Sequence, residues 1–319
     1  MQQPFAFSNS SCIQSASFLI LKAESLEKVS AMSTLSNQES LEKSSIYKQP
    51  VRFLSNKPLR LAGSFFLLAL IFRIVDIFIL EMNTTDFGFL PSKIIPLLLI
   101  VLYLRKSGRS VSDIGLSSSN LGNNAILGFV AFIAFDGTLT GGSYLLLFIL
   151  GISPIISFYK LDYLAFDLTF QTANAFMEEM LFRGLILICF MSVMRPLRAN
   201  ILQGVLFGLW HLVWPIDSCL GGLIGMAGAI TWSIEYILSS MLIGLLFGYL
   251  YQKTKSLVSP ILFHFFVDLT AANINIEPSI AMVQLGFGGF ALLIAFIAIH
   301  YFINKHRIMG NELGKAHDR

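Results

Sequence analysis

The amino-acid sequence predicts an all-α protein, a polytopic bundle of about eight transmembrane helices. The composition is the first sign: 55% of the 319 residues are hydrophobic and only 13% charged, with a mean hydropathy of +0.71. Soluble domains carry about 25% charged residues. The second sign is length, because from residue 60 onward the apolar residues gather into runs near the roughly 20 residues that cross a bilayer. The third is charge placement, with basic residues at every second exit from those runs, the asymmetry that orients membrane helices.

Residues 1–58 are polar, serine-rich and without strong periodicity, and read as a disordered cytoplasmic tail. The first 23 residues carry no acidic residue, as in a transit peptide, but they also contain no arginine, which argues against one. Met32 is an alternative start. The bundle then occupies 59–305, with spans expected at about 61–81, 88–104, 124–150, 170–194, 199–216, 233–251, 257–275 and 281–303. A short polar cytoplasmic tail, 306–319, closes the chain.

Arg52, Lys57 and Arg60 precede the first span, and Arg105, Lys106 and Arg109 follow the second. Arg195 and Arg198 follow the fourth, Lys253 and Lys255 the sixth, Lys305 and Arg307 the eighth. The opposite turns hold Glu81, Asp86, Asp162, Asp217 and Glu277. This pattern places both termini in the cytoplasm of a multi-pass integral membrane protein, with a bacterial-type plasma membrane as the expected location. Two stretches fit less well. Residues 217–232, with Gly221, Gly222, Gly225 and Gly228, read as a loop or re-entrant segment. Residues 152–168 alternate aromatic and polar groups, among them Phe158, Tyr159, Lys160, Asp162 and Tyr163, and read as lying along the interface.

A formal net charge of +3, with the basic residues beside apolar runs, gives no reason to expect a nucleic-acid partner. Cys12, Cys189 and Cys219 stand far apart, so neither a disulfide framework nor a cysteine zinc site is expected.

Chemistry concentrates in three apolar runs. Asn174-Ala-Phe-Met-Glu178-Glu179-Met-Leu-Phe-Arg183 places two carboxylates and a guanidinium inside the fourth span, where each charge costs roughly 2.5–3.5 kcal/mol. Glu179 and Arg183 are four apart in the favourable acid-before-base order, while Glu178 is rotated about 100° away. His211 lies in Phe207-Gly-Leu-Trp-His, and His264 and Asp268, again four apart, share a face of the seventh span. The structural alternative is that both glutamates merely pair with basic groups elsewhere in the bundle, that His211 is a hydrogen-bonded interior histidine, and that His264 and Asp268 form a structural pair. A carboxylate and two histidines are equally able to hold and activate a water molecule or to ligate a metal. Elsewhere, Arg73 and Asp76 are spaced to pair, and Asp136 and Glu235 are candidates to line a cavity. Trp210 and Trp214 read as interfacial aromatics, and His300, His306 and His317 as solvated.

Glu178-Glu179-x-x-x-Arg183, Phe207-x-x-x-His211 and His264-x-x-x-Asp268, in this order over about residues 165–272, resemble the three-motif signature of the CPBP family. That family comprises CAAX prenyl proteases and bacteriocin-processing, Abi-type intramembrane endopeptidases. The resemblance implies that Glu178 is the general base, sharing the attacking water with His211. It implies that His264 and position 268 stabilise the oxyanion, and that Glu179 and Arg183 support the site. It favours a metal-free glutamate enzyme without cofactor; zinc on Glu178, His211 and His264 is the alternative. Asp268 departs from the Asn of the eukaryotic prenyl proteases, and is expected either to be a neutral hydrogen-bond donor, the favoured role, or to orient His264.

The expected function is therefore an intramembrane endopeptidase acting on a peptide or membrane-protein substrate from within the lipid bilayer. A prenyl-protein endopeptidase proper is the nearest alternative. A non-catalytic transporter or scaffold using the same charges for binding is the other, although no second copy of the motifs suggests a repeat-built transporter.

Overall fold

The computed structural model describes residues 55–81, 90–118, 120–158, 164–277 and 288–305, all within one structural unit, Leu54–Arg319. The tail expectations for 1–54 and 306–319, the alternative start at Met32, and the readings of Asp86, Tyr159, Lys160, Asp162, Tyr163, His306 and His317 lie outside the described residues.

Among the described residues the chain forms eight helices, an all-α polytopic bundle. Helix α1, Pro58–Ile79, starts at a proline in its first turn, where the missing N–H costs nothing, and ends in a π-helical stretch, Val75–Ile79. Helix α2 is Leu90–Lys106 and α3 is Leu121–Ile149. Helix α4 runs over 164–191, with a π-helical segment Phe182–Leu187 in its middle. Helix α5, Pro196–Leu220, again opens on a proline and is interrupted by a turn at His211 and Leu212. Helices α6, Met226–Thr254, α7, Val258–Asn273, and α8, Gly288–Lys305, complete the set.

Five of them, α1, α3, α5, α6 and α8, are long and apolar enough to cross a membrane by length and composition. The outward surface suits lipid: Leu67, Leu98, Leu145, Leu238 and Leu293 are all more than half exposed. Helix α4 is the inverse. From Met177 to Phe190 every residue is buried, as expected for a helix enclosed on all sides, and α1, α2, α5, α6 and α7 all pack against it. Small residues permit the close crossings. A Cβ on Gly128 of α3 would lie 2.5 Å from the Ser259 carbonyl oxygen of α7, and one on Gly208 of α5 would lie 2.6 Å from the Ile237 carbonyl oxygen of α6.

Two sequence expectations need correction. Residues 217–232 are not a loop: Asp217–Leu220 continues α5, a tight turn through Gly222 (φ +72°) follows, and α6 begins at Met226. The glycines are confined to the turn and the first helical turn, so the composition reflected a reversal rather than an extended loop. The seventh span stops at Asn273 instead of 275, because Ile274–Glu277 becomes a strand, β2. It pairs antiparallel with β1, Ile155–Phe158, in the register Ile155↔Glu277 to Phe158↔Ile274. Ile-Ile-Ser-Phe and Ile-Asn-Ile are β-favouring but very short, and their pairing spans more than a hundred residues, so no local pattern announced it.

Candidate active site

The site forms where α4 meets α1, α2, α5 and α7. Glu178 and Glu179 are adjacent on α4 and both are essentially inaccessible, at 1% and 0% exposure. Being one residue apart on a helix, they point in directions about 100° apart, and the surrounding helices supply each with a different set of partners.

Glu179 faces α6 and α7. Its Oε1 accepts from Arg183 Nη1 at 2.8 Å and from His264 Nδ1 at 2.8 Å. Arg183, four residues along the same helix, also donates from Nη2 to the Gly244 carbonyl at 3.0 Å, and its guanidinium lies over the rings of Phe207 and Phe247 at 4.4 and 5.0 Å. The expected intrahelical pair is thus present, enclosed in aromatic rings.

Glu178 is not the free carboxylate that its sequence context suggested. Its Oε1 accepts from Lys93 Nζ at 2.8 Å, Trp210 Nε1 at 2.9 Å and Arg73 Nη1 at 3.3 Å. These donors come from α2, α5 and α1. The other oxygen, Oε2, is buried without a hydrogen-bond partner and lies 3.9 Å from His264 Nε2. One oxygen is saturated and the other is bare and aimed at a histidine.

His264 therefore links three carboxylates. A carboxylate can only accept from Nδ1, so that nitrogen carries a proton toward Glu179. Nε2 is 3.3 Å from Asp268 Oδ2, and one proton must lie between those two atoms for the approach to be favourable. Asp268 Oδ2 also accepts from Asn174 Nδ2 at 2.8 Å. Asn174, four residues before Glu178 on α4, thereby ties α4 to α7.

His211 stands at the break in α5. Its Nδ1 is 2.7 Å from the Phe207 carbonyl oxygen; since that oxygen only accepts, Nδ1 carries the proton and Nε2 holds a lone pair. The Phe207 ring is next to both histidines, with centroids 4.8 Å from His211 and 5.9 Å from His264. Six residues singled out from the sequence, Glu178, Glu179, Arg183, His211, His264 and Asp268, are thus gathered around Phe207 and α4.

Several partners were missed or misassigned. Arg73 does not serve Asp76: it turns to Glu178, while Asp76 Oδ2 accepts the Ser92 backbone N–H at 2.6 Å and docks the first turn of α2 onto α1. Trp210 is no interfacial aromatic, since it is fully buried and donates to Glu178. Lys93 went unremarked, although a lone lysine within the apolar run 88–104 is itself a signal. Asn174 had a weaker signal, its i, i+4 spacing to Glu178. His300 is exposed as expected, within α8, beside the Tyr249 hydroxyl at 3.0 Å. Asp136 accepts from Thr140 Oγ1 at 3.3 Å on its own helix.

The donor set does not suit zinc. Two cations and an indole N–H already occupy Glu178 Oε1, which leaves Oε2 as the one oxygen a metal could take. His264 presents its two nitrogens to carboxylates, and a ligating nitrogen must instead offer a lone pair. Among the described residues no three His, Cys, Asp or Glu side chains are grouped to hold a metal ion.

A helical bundle with membrane-spanning helices that encloses a cluster of carboxylates and histidines defines a class of integral membrane proteins with a buried polar site. Within it, residues 160–270 match the family described as Rce1-like, type II CAAX prenyl endopeptidase Rce1-like. That segment, about a third of the chain, carries all three motifs. No curated protein matches the chain.

Proposed function

We propose that this protein is an intramembrane endopeptidase in which Glu178 activates a water molecule for attack on a peptide carbonyl. The observation that carries the reading is the asymmetry of Glu178: Oε1 saturated, Oε2 buried, unpartnered and 3.9 Å from His264 Nε2. An unsatisfied buried carboxylate oxygen is costly unless water or a reacting group occupies its lone pairs.

In the proposed reaction the water lies against Glu178 Oε2, with the lone pair of His211 Nε2 as its second acceptor. The water oxygen attacks the carbonyl carbon while its proton passes to Oε2. His264, its Nδ1 fixed on Glu179, turns the proton held between Nε2 and Asp268 toward the developing oxyanion. Preorganised donors of this kind typically contribute a few kcal/mol to the transition state. Collapse of the tetrahedral intermediate breaks the C–N bond, and the proton on Glu178 goes to the leaving amine. Asp268 acts here through His264, and Asn174 holds Asp268. The contacts of Oδ2 with two donors favour this orienting role over the neutral-donor role expected from the sequence.

The substrate is a peptide reaching the bundle from the bilayer. The family's description favours a prenylated C-terminal peptide as a second, more specific reading. The alternation of basic and acidic turns supports a topology with both termini in the cytoplasm. The test compares membrane peptides by mass spectrometry from cells carrying wild-type or Glu178→Gln protein. Cleavage products present only with wild type are expected; identical peptide populations would refute the endopeptidase reading. Resynthesis of a product's precursor with and without a prenyl group separates the two substrate classes.

A further inference from the structure

Two buried cations at Glu178, both from helices outside the matched segment 160–270, are not explained by the three motifs. Lys93 on α2 and Arg73 on α1 are each 3% exposed. Both donate to Oε1 and neither to Oε2. A carboxylate turns readily about its last bond, so an unrestrained glutamate samples many orientations and holds neither oxygen at a fixed place. Here that freedom is removed, because tilting the carboxylate plane out of its present orientation would break three contacts at once, those of Lys93, Arg73 and Trp210.

We infer that Lys93, assisted by Arg73, is a positioning residue for Glu178, fixing Oε1 so that Oε2 alone is presented to the attacking water. This rests on the endopeptidase reading of the same site and adds the residues that set its geometry.

Lys93 has the principal part. Its Nζ makes the shortest of the three contacts, 2.8 Å against 2.9 Å for Trp210 Nε1 and 3.3 Å for Arg73 Nη1. Its helix is itself fixed, since Asp76 of α1 binds the Ser92 amide immediately before it. Arg73 is held in turn by the indoles, its guanidinium carbon 4.5 Å from the Trp210 ring and 5.5 Å from that of Trp214. The simpler alternative is a staple: the ion pairs tie α1 and α2 to α4 and contribute only to folding. The two differ in what happens to the turnover of correctly folded protein.

The experiment uses full-length protein in membranes, with products defined by their dependence on Glu178. Wild type, Lys93→Met, Lys93→Gln and Lys93→Arg are compared by product formed per folded molecule, folded protein being measured from its melting transition. One product's precursor, resynthesised as a peptide, then gives kcat and KM for each variant. Lys93→Met and Lys93→Gln are expected to lower kcat about 100-fold, the cost of displacing a reacting group by around an ångström. KM should stay within about threefold, and Lys93→Arg, which restores a cation, should recover most of the loss. Lys93→Gln decides the matter if Lys93→Met does not accumulate. Wild-type kcat per folded molecule in either neutral variant would overturn the inference and leave the endopeptidase reading standing. The absence of any Glu178-dependent product would overturn both.

Discussion

Replacing Asp268 by asparagine separates two roles for this position. Asp268 Oδ2 receives Asn174 Nδ2 at 2.8 Å and stands 3.3 Å from His264 Nε2. The same oxygen serves both donors, and that fixes how an introduced amide would sit. With Asn174 oriented as it is, the carbonyl of that amide occupies the Oδ2 position, since the NH2 group there would be set against the NH2 of Asn174. His264 would therefore keep an acceptor and lose only the charge. Hydrogen bonds to charged groups contribute about 1.5–3 kcal/mol against about 0.5–1.5 for neutral ones, a difference of roughly 1–1.5 kcal/mol. At 1.36 kcal/mol per factor of ten, Asp268→Asn should slow turnover about tenfold. In Asn174→Ala/Asp268→Asn nothing fixes the amide, so a further loss of about tenfold or more is expected. The assay is kcat on a cleaved peptide, normalised to folded protein. A rate for Asp268→Asn within twofold of the parent, unaffected by adding Asn174→Ala, would refute the orienting role and restore Asp268 as a direct, neutral donor.

Three further outcomes follow from the same geometry. Arg183→Ala removes the guanidinium from a fully buried Glu179 and leaves it His264 alone; breaking such a pair typically costs about 3–5 kcal/mol, so less folded protein and a lower melting temperature are expected, and an unchanged melting curve would refute the pairing as a structural element. Gly208→Val should weaken the α5–α6 crossing, because the added Cβ meets backbone rather than a movable side chain; overpacking of this kind costs about 1–3 kcal/mol, and wild-type melting would show that the helices part without cost. A strong chelator should leave turnover intact, given that Glu178 Oε1 and His264 are committed to protein partners; complete loss restored by stoichiometric zinc would refute this.

The sequence disclosed the parts of the site that are expensive and regularly spaced. Glu178, Glu179, Arg183, His264 and Asp268 stand out because each is a charge or imidazole in an apolar run, and their i, i+4 intervals define faces on known helices. The eight apolar runs likewise correspond to helices, with boundaries shifted by a few residues. What the sequence did not disclose is partner choice across distance. Arg73 has Asp76 three residues away, the obvious local partner, yet it pairs with Glu178, 105 positions along the chain. Local spacing can propose a pair but cannot rank it against one formed by folding. Lys93 has no regularly spaced partner and so joined no motif, although its cost in the membrane is the same. The β1–β2 ribbon was hidden for the same reason, being short and assembled from distant segments.

Charge balance explains why the first two helices belong to the site. Glu178, Glu179 and Asp268 are three carboxylates within a few ångströms of one imidazole, that of His264. Within the matched segment, Arg183 is the guanidinium that reaches these carboxylates, and it is spent on Glu179. Glu178 would then be a carboxylate in a low-dielectric interior with only Trp210 as donor, and a buried charge without a partner costs several kcal/mol. Lys93 and Arg73 supply the missing charge, and do so on the side away from His264 and Asp268, because their contacts are confined to Oε1. Placed at Oε2 they would have neutralised Glu178 equally well and blocked the oxygen that faces the histidine. Neutralisation alone therefore does not account for where they sit, whereas an open Oε2 is what the proposed activation of water requires.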